Sequence, residues 1–245
     1  MQAGMARSPV VVLGAGGRTG AACVSRLEEL GKDVRAVVRD PAKYADTLGG
    51  KKGVEVVAGD VADVQSLRGA LKGASGVIFA ASGTGYWSAK GVDYQGVANV
   101  ADVLKEQGGS QPVVLVSSCL VSPHNRWHPI RIMLNNFRWS LMDYKYKGEE
   151  VLRKSGLPYT VVRPGGLTDD PAGQAQLVVS QGDKSTGRVA RADVAAVAVA
   201  ALSDSAARGV TLELTSKPAE AAGGSPPPLA QQLKGLFAGL RADAA

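Results

Sequence analysis

The chain has 245 residues, of which 45% are hydrophobic and 20% charged, and no apolar run approaches the roughly 20 residues of a transmembrane helix, so we expect one soluble, globular domain. The net charge of +6 is scattered along the chain and aromatic residues make up only 5%, so no nucleic-acid partner is expected and a small anionic molecule suits the charge equally well. The two cysteines, Cys23 and Cys119, have the spacing of neither a disulfide framework nor a metal site, which indicates a reducing compartment.

Short β-branched segments alternate with segments of helical periodicity along most of the chain. After an N-terminal extension of residues 1–8, strands are predicted at 10–14, 34–38, 54–58, 76–80, 112–117, 159–163 and 210–214. Helices are predicted at 21–30, 97–107, 147–155 and 192–202. The strands are apolar on both faces, as in a parallel sheet covered by helices on both sides. We therefore predict an α/β fold, a Rossmann-type doubly wound parallel sheet, in a single domain of residues 9–217.

The first predicted strand runs into a glycine-rich turn. Three of its glycines are spaced three residues apart. A strand that turns sharply into a helix leaves unpaired N–H groups facing outward, where they and the helix dipole attract a phosphate. Glycines let the backbone approach that phosphate. The turn therefore predicts a dinucleotide site formed by Gly14, Gly16, Gly17, Arg18, Thr19 and Gly20.

The end of the second predicted strand bears on the choice of cofactor. An NAD enzyme presents Asp or Glu to the ribose 2′-hydroxyl at this point, whereas here the strand ends in Arg39. A guanidinium group pairs well with the 2′-phosphate of NADP, and Arg18 is a second candidate for that contact. The neighbouring acid, Asp40, precedes Pro41 as in a helix start. We predict NADP(H) rather than NAD.

Small residues follow the fourth predicted strand. Ala80, Ala81 and Ser82 would let the pyrophosphate and ribose of the cofactor lie against the backbone. The same residues would also suit a tight turn with no ligand.

Residues 122–143 form a basic insert. It carries Arg126, Arg131 and Arg138 with two tryptophans, Trp127 and Trp139, against a single acid. We predict a basic lid near a substrate mouth or a partner surface. His124 and His128 have a spacing that a metal uses, but no third ligand is apparent, so no metal site is predicted.

The last part of the chain is predicted to be a separate element. Residues 218–228 are a linker rich in Pro, Gly and Ala, and residues 229–245 are predicted to form an amphipathic helix. That helix would pack on its own domain or on a sister subunit, or would contact a protein partner or a membrane surface. Its apolar face consists of Leu229, Leu233, Leu236, Phe237 and Leu240.

Longer segments carry a resemblance to a known family. The chain is similar, over residues 9 to about 215, to the atypical short-chain dehydrogenase/reductases of the NAD(P)H-binding or NmrA-like type, which include chloroplast members. The insert and the tail lie outside this resemblance. The matching segments are VDYQGVANVADVLKEQ (92–107), VVLVSS (113–118), YKYKGEEVLRKSGLPYTVVRPGGL (144–167) and GRVARADVAAVAVAAL (187–202).

The resemblance implies further contacts to the cofactor. Asp60, with Val61 beside it, would contact the adenine amino group. Ser117 and Ser118 would lie beside the nicotinamide ribose, and Lys147 would bind the ribose hydroxyls. The segment that closes over the nicotinamide would be Pro164, Gly165 and Gly166.

The catalytic residues depart from the family pattern. A typical member has a tyrosine four residues before the lysine, and here that position is Asp143. Tyr144 could share a helix face with Lys147 in a different geometry. The catalytic candidates are therefore Ser118, Tyr144 and Lys147, although Lys147 could also be solvated or paired with Glu150.

Two functions remain open from the sequence. The first is an NADP(H)-dependent oxidoreductase acting on a small molecule that is anionic, quinone-like or tetrapyrrole-like. The second is a catalytically silent NADP(H)-binding regulator or assembly protein that holds a protein partner at the basic insert and the tail. We expect a location in the chloroplast stroma or the cytoplasm, and the oligomeric state stays open.

Overall fold

A computed structural model describes residues 8–83, 86–137, 140–218 and 224–244. The strands of these ranges are β1 (Val10–Leu13), β2 (Val34–Val38), β3 (Val54–Ala58), β4 (Gly76–Phe79), β5 (Val113–Val116), β6 (Tyr159–Pro164), β7 (Gly166–Thr168), β8 (Ala175–Ser180), β9 (Arg188–Ala190) and β10 (Val210–Pro218). The helices are α1 (Arg18–Glu29), α2 (Val64–Leu71), α3 (Tyr86–Ala89), α4 (Val97–Glu106), α5 (Pro129–Phe137), α6 (Leu141–Arg153), α7 (Arg191–Ser203) and α8 (Leu229–Leu233), with a π-helix (Lys90–Gly96) between α3 and α4. No helix in the described part of the chain is long and apolar enough to cross a membrane.

The strands form one sheet whose central part is parallel. Its order is β3-β2-β1-β4-β5-β6-β10-β9-β7, and β8 pairs with β10. All pairs from β3 to β10 along this path are parallel. The seven predicted strands are all present, and the prediction of a doubly wound Rossmann-type sheet is confirmed.

Two apolar layers cover the sheet because its central strands are apolar on both faces. Val12 and Ile78 face the layer that contains α1 and α7, while Leu13 and Phe79 face the layer that contains α2 and α4. Each of these four side chains is at most 1% exposed. Burial on both faces fixes the strand positions, and with them the loops that follow the carboxyl end of each strand.

The edge beyond β10 was not predicted. There β8 and β9 run antiparallel to β10, and β7 pairs with β9 in parallel. These strands are short and mixed in polarity, so their hydrophobic pattern is weak.

The insert, which we predicted to be a basic lid, contains a helix, α5, and one of its three arginines is buried. Arg131 is only 4% exposed, and its Nη1 donates to the carbonyl oxygens of Leu120 (3.0 Å), Val121 and Ser122 (2.6 Å). Its Nη2 binds Asp143 Oδ1 at 2.6 Å. Arg131 therefore pins the insert to the fold. Arg138 and Trp139 lie outside the described residues.

The tail differs from the predicted helix. Only Leu229–Leu233 is helical, because Gly235 and Gly239 adopt left-handed backbone angles (φ 72° and 81°) that end a helix. The segment 224–244, called the strap below, packs on its own domain, the first of the alternatives we considered. Phe237 is 1% exposed and belongs to the core cluster that contains α7.

The strap is also tied to the sheet by polar contacts. Asp243 Oδ2 accepts hydrogen bonds from Arg153 Nε (3.2 Å), Tyr159 Oη (2.9 Å) and Thr211 Oγ1 (2.6 Å). The side chain of Gln232 accepts from the backbone N–H of Leu177 at 2.7 Å. The strap is therefore part of the folded domain.

Candidate functional site

The loops after β1, β4, β5 and β6 enclose a cavity of about 530 Å³. Parallel strands bring their carboxyl ends to one edge, and ligands bind where the strand order reverses, here between β1 and β4. Helices α5 and α6 close the far side of the cavity. Its walls include Thr19, Ala80, Ala81, Ser82, Ser117, Ser118, Pro164, Gly165 and Gly166, all of which the sequence predicted at the site.

The glycine turn forms a cradle that side chains would fill. Gly14 has φ +78°, and a Cβ atom there would lie 2.7 Å from the backbone of Ala81. A Cβ atom on Gly20 would lie 2.2 Å from the carbonyl oxygen of Gly14. Gly17 is the N-cap of α1, whose first N–H groups have no partner inside the helix. The turn therefore fits a pyrophosphate group, as the sequence predicted.

Gly16 is needed for a different contact. A Cβ atom on Gly16 would lie 2.3 Å from Cζ of Tyr44, so this ring lies directly on the turn. Tyr44 follows Arg39 on the loop after β2, which brings that loop against the phosphate cradle. Sequence reasoning did not single out Tyr44, and no periodic pattern marks it.

The residues predicted at the adenine end lie on exposed loops. Arg39 is exposed and pairs with no other described residue. Asp40 Oδ1 accepts the N–H of Ala42 at 3.1 Å, which supports its interpretation as a backbone cap. Arg18 Nη1 lies 2.8 Å from Asp169, which also binds Arg191 at 2.6 Å. These ion pairs are exposed at Arg18 and Asp169, so water screens them.

Asp60 and Val61 follow β3, as the resemblance implied. Asp60 Oδ1 accepts the N–H of Ala62 at 2.9 Å, and Val61 is buried. Asp63 caps α2 by accepting the N–H of Gln65 at 2.9 Å.

The end of β5 presents a hydroxyl group of fixed direction. Ser117 Oγ donates to Glu149 Oε1 at 2.5 Å, and Glu149 is completely buried. The same carboxylate accepts from Arg163 (Nε 3.0 Å, Nη2 2.5 Å) and from Arg153 Nη2 (2.9 Å). Because a carboxylate held by two guanidinium groups acts as an acceptor, Ser117 offers only oxygen lone pairs to the cavity. Ser118 Oγ donates to the carbonyl oxygen of Cys119 at 3.1 Å.

Cys119 lines the cavity but is not a nucleophile. Burial, followed by the negative charges of Glu213 and Asp183, raises the pKa of its thiol to about 12. The thiol therefore stays protonated at neutral pH, and reactivity requires the thiolate.

Close packing requires the two glycines that follow Pro164 at the end of β6. Gly165 and Gly166 donate their N–H groups to Leu214 O (2.9 Å) and Gly187 O (2.7 Å). A Cβ atom on Gly165 would lie 2.4 Å from Gly187 O. The Pro164-Gly165-Gly166 segment is thus pressed against the loop before β9 and presents its other side to the cavity.

Helix α6 places its lysines differently from the prediction. Lys147 is exposed, with its Nζ 5.2 Å from the centre of the Tyr144 ring, and neither residue lines the cavity. Lys145 lines the cavity instead. Its Nζ lies 2.9 Å from Oδ1 of Asp93, a side chain that is only 2% exposed.

Sequence reasoning missed Lys145 as a site residue because it began this helix at residue 147 instead of 141. From Leu141 the inward face runs through Lys145, Gly148, Glu149 and Leu152 at spacings of three and four residues. That periodicity is the signal that could have found it. The residue four positions before Lys145 is Leu141, so α6 places no tyrosine there.

Asp93, the partner of Lys145, also binds the loop after β4. Its Oδ2 accepts the N–H of Gly83 at 2.8 Å, in the loop after β4. Asp93 lies on the π-helix, a distortion that often occurs at functional sites.

Comparison with protein families identifies the chain. A model described as NAD(P)H-binding matches residues 14–205, which include the glycine turn and the loops after β4, β5 and β6. The chain belongs to the NAD(P)H-binding family. An NAD(P)H-binding family is what the resemblance implied.

Similar proteins of this NAD(P)H-binding family occur in plants. An uncharacterized chloroplast protein of Arabidopsis thaliana is 33% identical over 85% of this chain and 70% of its own length. Sanguinarine reductase of Eschscholzia californica is 29% identical over 85% of this chain and 89% of its own length. Protein TIC 62 of Pisum sativum, a chloroplast protein, is 33% identical over 64% of this chain and only 32% of its own length.

Solved structures of other proteins share the fold. An anaerobillin reductase of Escherichia coli O157:H7 superposes with a TM-score of 0.73 and 28% identity over 86% of this chain and all of its own. A short-chain dehydrogenase/reductase of Veillonella parvula, solved in complex with NADP, has a TM-score of 0.66 and 19% identity over 90% of this chain and 98% of its own. The second likeness shows the fold alone.

The two histidines of the insert, His124 and His128, do not line the cavity. His128 Nδ1 accepts the N–H of Ile130 at 3.3 Å. Within the described ranges no group of three His, Cys, Asp or Glu side chains is placed to hold a metal ion.

Proposed function

We propose that the chain is an NADP(H)-dependent reductase of a small molecule with a largely apolar surface. One observation carries the proposal: the cavity extends from the glycine turn past the strand ends to α5 and α6, where Ile130, Leu134 and Met142 face it beside Lys145. An apolar pocket with a few convergent polar groups is the usual form of a small-molecule site. The names of two relatives, sanguinarine reductase and anaerobillin reductase, support reduction as the reaction.

The chain's own residues divide the work of holding the nucleotide. The N–H groups at the start of α1 bind the pyrophosphate, and Arg39 and Arg18 bind the 2′-phosphate that distinguishes NADP from NAD. Arg39 supports this preference because it is exposed and no described residue competes for it. When bound, the nicotinamide supplies a hydride.

Lys145 and Ser117 provide complementary polarity near the end of β5. The Lys145 ammonium has three donors, and Asp93 takes one of them, which leaves two for ribose hydroxyls or a substrate oxygen. Ser117 can only accept. In this proposal Lys145 has the role that was predicted for Lys147, and its Nζ is a proton donor to the cavity.

A test compares the two lysines. Lys145→Ala should weaken NADPH binding by about tenfold, as expected for one charge-assisted contact, and should stop the oxidation of NADPH by 1,4-naphthoquinone. Lys147→Ala, two positions away on the exposed side of α6, should keep both within about twofold. Isothermal titration and NADPH absorbance measure the two effects. Equal losses in the two variants would show that Lys145 is not the site lysine.

A second function is supported by one observation: Leu141 stands where a reductase of the typical pattern has its tyrosine, four residues before the cavity lysine. In this alternative the protein binds NADP(H) without reacting and regulates or assembles a protein complex. The likeness to protein TIC 62 supports it. Tight NADPH binding without hydride transfer to any of a panel of quinones and aldehydes would favour this alternative.

The chloroplast relatives also support a location in the chloroplast stroma.

A further inference from the structure

Helix α5 presents its apolar side to solvent. Among the described residues six large apolar side chains are exposed, and five of them lie between Trp127 and Phe137. Trp127 and Phe137 are the most exposed, at 75% and 79%. Monomeric proteins rarely expose such a cluster, and a contiguous apolar patch of this kind marks a surface that something covers.

The orientation of α5 follows from its polar anchor. Ile130, Met133 and Phe137 are spaced at i, i+3 and i+7, so they form one stripe that would ordinarily face the core. Here the buried residue of the helix is Arg131, whose guanidinium binds three backbone carbonyls and Asp143. These contacts satisfy a buried charge, so they hold the helix with its apolar stripe outward.

The charges around the stripe indicate what covers it. Residues 122–147 contain five Lys and Arg residues, of which Arg131 is paired with Asp143 and Lys145 with Asp93. Arg126 is exposed, and its guanidinium lies 5.6 Å from the centre of the Trp127 ring. Lys147 is exposed on the following helix. The surface thus combines an apolar stripe and a tryptophan with unneutralised positive charge.

We propose that α5 and Trp127 form a docking surface for an anionic lipid bilayer. Amphipathic helices with Trp, Phe and Ile on one side and basic residues beside them lie in the plane of the bilayer interface, where the apolar side chains enter the acyl region. Tryptophan prefers this boundary because its ring is apolar and its N–H is polar. Basic residues next to the membrane are attracted to anionic headgroups.

Docking would place the cavity near the membrane. Ile130 belongs to the exposed stripe and also lines the cavity. Leu134 of the same helix lines the cavity as well. An apolar molecule dissolved in the bilayer would therefore meet α5 before it meets the cavity. This path rests on the proposed function, whereas the docking itself does not.

Vesicle flotation of the full chain tests the proposal. The protein should float with vesicles of phosphatidylcholine and phosphatidylglycerol, and much less with phosphatidylcholine alone or at high salt, because the electrostatic part is screened. The double substitution of Trp127→Ala and Phe137→Ala should reduce the bound fraction by about tenfold. Leu30→Ala is the matched control, since Leu30 is the sixth exposed large apolar residue and lies on α1's end, away from α5. It should bind like the unmodified chain.

Three outcomes would overturn the proposal. The first is failure of the unmodified chain to float with anionic vesicles. The second is equal binding to neutral and anionic vesicles, which would exclude the charge complementarity. The third is flotation that the double substitution leaves unchanged. In the first case, light scattering in which the double substitution dissolves a dimer would show that a second copy of the chain covers the surface. Thermal melting checks that the variants fold, and NADPH titration reports separately on the proposed function.

Discussion

Arg39 directly follows β2. Its guanidinium group is exposed and pairs with no other described residue. In the proposed site it binds the 2′-phosphate of NADP, a contact that NAD lacks. We expect Arg39→Ala to weaken NADPH binding by roughly ten- to a hundredfold and to leave NADH binding nearly unchanged. Arg208→Ala, at an exposed site before the amino end of β10, is the control. Equal losses for the two nucleotides in fluorescence titrations would contradict the assignment.

Asp193 shows how a single buried carboxyl group makes stability depend on pH. It is 1% exposed in the first turn of α7, where Oδ1 accepts the N–H of Gly173 at 2.8 Å. Burial raises the pKa of this carboxyl above its usual value of 3.8, against the opposing effect of the Gly173 hydrogen bond. The folded protein therefore holds the proton more tightly than the unfolded chain. As pH rises above 3.8, ionisation favours the unfolded chain and stability falls.

We accordingly predict that Asp193→Asn, which can keep the acceptor for Gly173, raises the free energy of unfolding by about 1 kcal/mol at pH 7. The gain should shrink as pH is lowered towards 3.8. Urea denaturation at several pH values measures it, with the exposed Asp170→Asn as the control. A gain that grows towards acidic pH would have the wrong sign for this explanation.

At the scale of elements, the packing of the strap on the domain changes the effect that we expect from its removal. The sequence predicted a separate element with an amphipathic helix at residues 229–245. In the structure Phe237 is buried in the core cluster and Asp243 is bound to β6 and β10. Truncation after Pro218 should therefore lower the free energy of unfolding, and NADPH binding should fall with it.

Single substitutions test how much the packing of the strap contributes to stability without removing the strap. Phe237→Ala should lower the free energy of unfolding by about 3 to 4 kcal/mol, because it removes a buried aromatic side chain and leaves a cavity. Lys234→Ala, an exposed residue of the same segment, should change it by less than about 0.5 kcal/mol. Differential scanning calorimetry compares them. A stable truncated chain with unchanged NADPH affinity would restore the original interpretation of the strap as separate.

At the scale of the whole molecule, the parallel sheet was predictable because its strands are short runs rich in β-branched residues and three of them, β1, β4 and β5, are apolar on both faces. The glycine turn was predicted from its spacing and the residues after β4 from their small size, whereas the residues after β5 and β6 were implied by the family resemblance; the parallel strands bring their ends together. Lys145 could not be placed without the start of α6, because a helix face is fixed only when its first turn is known. Helix α5 was missed because Arg131, a charged residue, occupies its buried side.

The binding of Asp243 has a consequence for the order in which the molecule assembles. Its side-chain partners Thr211, Tyr159 and Arg153 lie 32, 84 and 90 residues earlier in the chain. The contacts to Tyr159 and Arg153 close longer loops than the pairing of β6 with β10, in which Thr160 lies beside Val210, so these two contacts of the strap are expected to form after β6 and β10 have paired. Arg153 also holds Glu149, which directs the Ser117 hydroxyl. The last contact to form therefore completes the alignment of a group at the cavity, and folding and readiness of the site finish in the same step.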